Sequence, residues 1–349
     1  MRWLDAVKGL GIVAVVWGHV IVDPALRGWV YLWHMPLFFF LAGYVFKPAT
    51  DLRRSVRERS LRLLVPYALF GILLSTQDLL KTADVDTGRA WAMFFATHLA
   101  GGKSVYGWLV AVWFVTCLYL TQLALDVALK HLSTRAMNAL MAASLLLAYA
   151  NAALFPRVFL PWAAHICLIA APICYFGHLY RQHEAALPRW LPLLAALAGA
   201  VGLALIGLQA IAPFDMKSTR YGTPFASLAF ALCIAVALIA GARRWLADGR
   251  LALVLATLGE ASLVVMFLHM AAQEALRRQA GIEDSTLRIV FALAVSMLAY
   301  ALLKRSALTR ALFLGSVKDW DALRGRTAAR HRDARVSASP ARTEGQPQE

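Results

Sequence analysis

The chain opens Arg2-Trp-Leu-Asp5-Ala-Val-Lys8-Gly-Leu-Gly-Ile-Val-Ala-Val-Val-Trp-Gly-His19 and, after a short break, continues Trp33-His34-Met35-Pro36-Leu37-Phe38-Phe39-Phe40. Both stretches are apolar runs that carry ionisable groups. Such groups are costly inside an apolar segment, and where they occur they usually face a cavity or a partner and mark function. Two apolar segments joined by a short loop therefore form a hairpin of membrane spans, with a histidine near the end of the first and another at the start of the second.

Composition extends that reading to the whole chain. It is 60% hydrophobic and 16% charged, with a mean hydropathy of +0.61, which excludes an ordinary soluble globular protein. Apolar runs of roughly 15–22 residues recur along most of its length, each long enough to cross a bilayer core of about 30 Å. The runs fall at 9–22, 32–46, 63–80, 89–100, 105–127, 137–154, 159–180, 190–211, 223–242, 251–272 and 287–303. The run at 89–100 is broken early by Gly101-Gly102-Lys103 and reads as re-entrant or interfacial. The expectation is an all-α, polytopic bundle of about ten spans with both termini on one side. The first run carries interleaved charges and no small-residue cleavage site, so it is a retained span rather than a leader.

Positive charge sets the orientation. With the termini in the cytoplasm, the inner loops and tail hold 25 of the 35 Lys and Arg, as the positive-inside rule requires. The net charge of +15 is thus a membrane signature and gives no reason to expect nucleic acid. Residues 1–305 read as the membrane domain and 306–349 as a basic, flexible cytoplasmic tail too poor in apolar residues to order itself. The four cysteines all lie in apolar runs and suggest no disulfide framework.

Within this frame a few residues could carry chemistry. Lys8 and His19 are eleven residues apart, so they share a helix face to within about 20° and are separated by about 16 Å. Asp5, one turn below Lys8, can pair with it; taken alone, the two also suit an interfacial anchor. His34, just before Pro36, starts the second span on the outer side, where His19 ends the first. Imidazole can move protons in both directions near pH 7, although a helix contact for His19 and a belt position for His34 are the plainer readings. Six basic residues lie between Lys47 and Arg62. Arginine forks bind phosphate, so Arg59 and Arg62 are candidates for a phosphate site as well as topology signals. Trp113 opens a span beside Phe114. Ser262 and His269 are seven apart and share a face, with His269 on the outer side. His98, His165 and His178 have no comparable company and read as structural. No HExxH, Cys/His cluster, GxSxG elbow or P-loop is present, so no metal is expected.

These residues in this order resemble the acyltransferase-3 family of polytopic membrane acyltransferases. The family's basic residue, ten-residue gap and histidine match Lys8 to His19, with Asp5 before them. Its aromatic and small-residue second span matches Phe38-Phe39-Phe40-Leu-Ala-Gly43-Tyr44. Its RxxR matches Arg59-Ser-Leu-Arg62, its Trp-Phe pair Trp113-Phe114, and its late Ser-to-His segment Gly259 to His269. The resemblance covers about residues 1–305, and the His-Met-Pro-Leu-Phe-Phe string is similar to the fucose 4-O-acetylase-like branch. Lys8 departs from the family's usual arginine and lacks its bidentate fork. The resemblance implies an O-acetyltransferase of the bacterial inner membrane. It would move acetyl from cytoplasmic acetyl-CoA to a hydroxyl of a cell-envelope or exported carbohydrate. Lys8, Arg59 and Arg62 would lie on the acyl-CoA side and His19 and His34 at the chemistry, with Asp5, Trp113, Ser262 and His269 supporting. No serine or cysteine is placed for an acyl-enzyme, so direct transfer is expected. The rival readings are a transporter or flippase for a glycan-type or small polar substrate, and a non-catalytic receptor.

Overall fold

Each apolar run folds as a helix or helix pair in the computed structural model, which describes residues 1–83, 87–102, 107–156 and 158–325. The chain enters through α1 (Arg2–Val20), then α2 (Pro24–Tyr31) and α3 (His34–Tyr44). Asp23 caps α2 by accepting from the Ala25 and Leu26 amides, and Pro24 sits in its first turn, where its missing N–H costs nothing. Next come α4 (Leu52–Arg59), a π-helical turn (Ser60–Leu64) and α5 (Val65–Ala83). Pro66 explains the widening, because it cannot donate to the Arg62 carbonyl four residues back and its ring pushes that carbonyl aside.

α6 (Thr87–Ala100), α7 (Trp113–His131), α8 (Thr134–Leu154), α9 (Cys167–His183) and α10 (Leu191–Gly207) follow. A two-stranded hairpin, β1 (Phe214–Asp215) and β2 (Arg220–Tyr221), then interrupts the helices. The chain ends with α11 (Ala226–Trp245), α12 (Arg250–Glu260), α13 (Ser262–Ala280), α14 (Ser285–Leu303) and α15 (Ala307–Phe313).

Among the described residues, six helices are long and apolar enough to cross a membrane. A seventh span arises if α12 and α13, bent by 77° at their junction, count as one. This is a multi-pass membrane protein, and its described residues hold fewer full-length spans than the ten expected. The second run shows why. It folds as α3 alone, while the loop before it winds into α2, and α3 has 11 residues, a rise of about 16 Å. Ten of those residues are buried, so a helix that is apolar all round is here surrounded by protein rather than lipid. α10, at 17 residues, is a shorter apolar helix.

Glycines set the closest helix contacts. A Cβ on Gly9 would lie 2.0 Å from the Leu255 carbonyl oxygen, and one on Gly259 would lie 1.8 Å from that of Asp5. α1 and α12 therefore pack backbone on backbone. Gly43 and Gly177 do the same for α3 and α9, meeting the carbonyl oxygens of Cys174 at 1.8 Å and Phe40 at 2.1 Å. Small residues at helix interfaces are the usual device in membranes, where close dispersion contact replaces the hydrophobic drive. The core fills with aromatics, among them Phe39, Phe40, Phe70 and Phe267, the last two stacked at 4.6 Å.

A polar cluster ties one end of the bundle. The Tyr44 hydroxyl donates to Glu184 at 3.0 Å, Arg243 binds both, and Arg243 lies 4.5 Å over the Trp3 ring. The ends of α3, α9 and α11 and the start of α1 thus meet. The tail expected to be flexible from 306 is helical at first. α15 packs against α5, Gly315 sits against the Arg62 carbonyl, and 317–325 is helical. Residues 326–349 lie outside those described.

Candidate functional site

Three histidines converge at the end of the bundle opposite the Tyr44 cluster. His19 comes from the last turn of α1, His34 from the first turn of α3 and His269 from α13. The His19 and His269 rings stand 5.3 Å apart, and His34 lies within electrostatic range of His19. The His34 ring also packs 5.0 Å from Tyr31. Local structure sets the tautomers. The Nδ1 of His34 is 2.8 Å from the Val30 carbonyl, and that of His269 is 2.8 Å from the Val265 carbonyl. A carbonyl only accepts, so each Nδ1 carries the proton and each Nε2 presents a lone pair. The Nε2 of His269 is buried without a partner. His19 has no hydrogen-bond partner among the described residues and keeps part of its surface accessible, whereas His34 and His269 are closed off at 4% and 0%. Of the three rings, His19 is thus the one with accessible surface.

The β hairpin stands beside this cluster. Lys217 Nζ donates to the Val110 carbonyl at 3.0 Å. Burial pulls its ammonium down to about 8, against the opposing pull of Asp215. The sequence reading passed over Asp215 and Lys217. Their signal was a short polar stretch, Asp215-Met-Lys217-Ser-Thr-Arg220, set between aromatics, prolines and Gly222 in a loop joining two apolar runs.

A basic cavity lies at the other end of α3. A cavity of about 650 Å³ is lined by Lys47, Arg54, Arg59 and Arg62 against Asp51 and Glu58, with Ala42, Phe46 and Gln122 in its walls. Arg62 is open, at 63% exposure, with Glu58 3.9 Å away. Arg59 is not open. Its Nε reaches Asp126 at 2.9 Å and Ser55 at 2.8 Å, another nitrogen reaches Gln122 at 2.7 Å, and its guanidinium lies 4.9 Å over the Phe46 ring. The expectation of two equivalent phosphate-binding arginines is thus divided. Both line the cavity, but the Arg59 fork already holds a carboxylate. Asp126, 2% exposed, is a further residue the sequence reading missed, and an acid alone in an apolar run was its signal.

The other expected residues stand apart from these two groups. Lys8 pairs with Asp5 at 2.6 Å and is not among the residues lining the basic cavity. Trp113 is buried between Phe39 and Phe114 as a packing residue. Ser262 begins α13 just past the bend, seven residues before His269. Among the described residues no group of three or more His, Cys, Asp or Glu is placed to hold a metal ion.

The nodulation protein NolL of Sinorhizobium fredii (strain NBRC 101917 / NGR234) is 29% identical over 112 residues, which cover 28% of this chain and 30% of NolL. The chain therefore aligns with under a third of that relative's length. No solved structure matches the chain. The family model described as an acyltransferase domain matches residues 1–305, which take in both the histidine cluster and the basic cavity, and the chain belongs to this acyltransferase-3 family.

Proposed function

We propose that the protein is a membrane O-acetyltransferase that takes acetyl from cytoplasmic acetyl-CoA and passes it to a hydroxyl of a cell-envelope or exported carbohydrate. The observation that carries this reading is the placement of a basic cavity and a three-histidine cluster at opposite ends of one short buried helix, α3. The end bearing Tyr44, the basic cavity and the positive loops lies in the cytoplasm of a bacterial inner membrane, following the charge rule. Lys47, Arg54 and Arg62 receive the phosphates of CoA, and its thioester arm runs along α3 toward His19.

At the cluster, the acceptor hydroxyl oxygen attacks the thioester carbonyl carbon and gives its proton to the His19 imidazole. The C–S bond breaks, and the departing CoA sulfur takes the proton back. His269, held by its own backbone bond, orients or relays for His19, and His34 shapes the far wall. The fucose 4-O-acetylase-like pattern of the second span points to a deoxyhexose among the acceptors.

The test is His19→Gln. An amide keeps the size and hydrogen bonding but cannot take up a hydroxyl proton at neutral pH. Labelled acetyl transfer in membranes, onto surface glycan extracted from cells lacking this chain, is expected to fall by about 10²–10⁴. Acetyl-CoA binding and thermal stability in detergent should be retained. Near-normal turnover would remove the base assignment.

A further inference from the structure

The hairpin between α10 and α11 is a small structure held by a large apolar commitment. Phe214, Met216 and Tyr221 are 0%, 1% and 2% exposed, although an isolated two-stranded hairpin is barely stable by itself. That burial fixes two half-covered charges beside the histidines. Lys217 lies within electrostatic range of His19, and Asp215 within range of His34 and Tyr31. Lys217 gives one of its three N–H bonds to the Val110 carbonyl, which leaves two. Asp215 accepts from the Ser218 amide at 3.3 Å through one oxygen. The two charges influence one another, yet no salt bridge joins them to each other or to another described residue. Partly buried charges left unpaired cost desolvation that a bridging polar ligand would offset.

We propose that this hairpin is the acceptor-side wall of the site, and that Lys217 and Asp215 grip the hydroxyls flanking the one that His19 deprotonates. The ligand class is a saccharide with neighbouring hydroxyls, since each hydroxyl both donates and accepts. One oxygen takes the Lys217 proton, and an adjacent hydroxyl donates to the open oxygen of Asp215. The assignment rests on the acetyl-transfer reading and adds the residues that select and orient the acceptor.

The experiment compares wild type with Lys217→Gln, Lys217→Arg and Asp215→Asn in membranes. Labelled acetyl-CoA is the donor, and surface glycan extracted from cells lacking this chain is the varied acceptor. Asparagine keeps the oxygen that caps the Ser218 amide, so Asp215→Asn preserves the turn. Half-saturating glycan should rise about 10- to 100-fold in Lys217→Gln and Asp215→Asn, as for the loss of a charge-assisted hydrogen bond. Lys217→Arg should recover part of it. Half-saturating acetyl-CoA and the rate at saturating glycan should stay as in wild type. Unchanged half-saturating glycan, or a lower maximal rate without a change in half-saturation, overturns the proposal. Should Lys217→Gln fail to insert, Asp215→Asn decides alone. If wild type itself transfers nothing to the glycan, the acetyl-transfer reading falls and takes this with it. If wild type transfers and the variants saturate normally, only the hairpin assignment falls.

Discussion

Arg59 and Arg62 look equivalent in sequence, and replacing each by Gln should separate them. Asp126 is 2% exposed and accepts from the Ala49 amide at 3.0 Å, from Ser55 Oγ, and from Arg59 through two nitrogens at 2.9 and 2.8 Å. Removing the guanidinium leaves this carboxylate with two neutral donors and no counter-charge. Breaking a buried pair from one side typically costs about 3–5 kcal/mol. Arg62, 63% exposed with its partner 3.9 Å away, belongs to the class of surface pairs worth about 0–1 kcal/mol. Arg59→Gln should therefore lower the unfolding midpoint of the purified protein in detergent, whereas Arg62→Gln should leave it alone and weaken acetyl-CoA binding. Arg59→Gln combined with Asp126→Asn should cost less than the sum of the single changes, because the double variant leaves no charge stranded. The reasoning is refuted if Arg59→Gln unfolds like wild type while losing donor affinity, since Arg59 would then be a ligand and not an anchor.

Three further outcomes follow from the geometry. Gly259→Ala, whose Cβ would lie 1.8 Å from the Asp5 carbonyl oxygen, should force α1 away from α12, costing about 1–3 kcal/mol as overpacking in detergent unfolding and displacing His19. Arg53→Cys, at an exposed position on α4, should react with a charged maleimide in inverted vesicles and not in intact cells; labelling from outside would reverse the donor side. Burial pulls the Lys217 ammonium from 10.5 down to about 8, against the opposing pull of Asp215, with the His19 ring also within electrostatic range. Raising the pH through 8 should weaken glycan saturation as the ammonium is lost. Over that same window the contribution of Lys217 to stability rises, because the unfolded chain still binds the proton. Lys217→Arg should remove both trends in glycan titrations and unfolding midpoints measured from pH 7 to 10.

The sequence was legible where periodicity and burial speak alone. Every apolar run became a helix or helix pair, and the eleven-residue step from Lys8 to His19 placed His19 near the end of α1. His269 joined His19 because Ser262 to His269 advances two helical turns along α13. What the sequence could not show was that the second run is a short helix enclosed by protein. Nothing local distinguishes Leu37 to Leu41 as lipid-facing from Leu37 to Leu41 as protein-enclosed, since both readings favour the same apolar residues. Nor could it show that the Arg59 fork is spent on Asp126, a contact between residues 67 apart. The hairpin was hidden for another reason: two-residue strands carry too few positions to display alternation.

The shortness of α3 is what brings the two ends of the proposed transfer close together. A helix that crosses a bilayer alone needs about 20 residues and separates its ends by about 30 Å. With 11 residues, α3 separates its ends by about 16 Å. On one side the basic cavity begins at Ala42 and Phe46, and on the other His34 opens the first turn of α3. Between His34 and Ala42 the axial distance is about 12 Å, which places the two groups within reach of one extended thioester arm. In the proposed reaction the phosphates would stay on the basic face while the acyl carbon reaches His19, so neither the charged nucleotide nor the acceptor sugar would have to enter the apolar layer. Phe39 and Phe40, both fully buried, lie along α3 between the two ends and keep its core apolar.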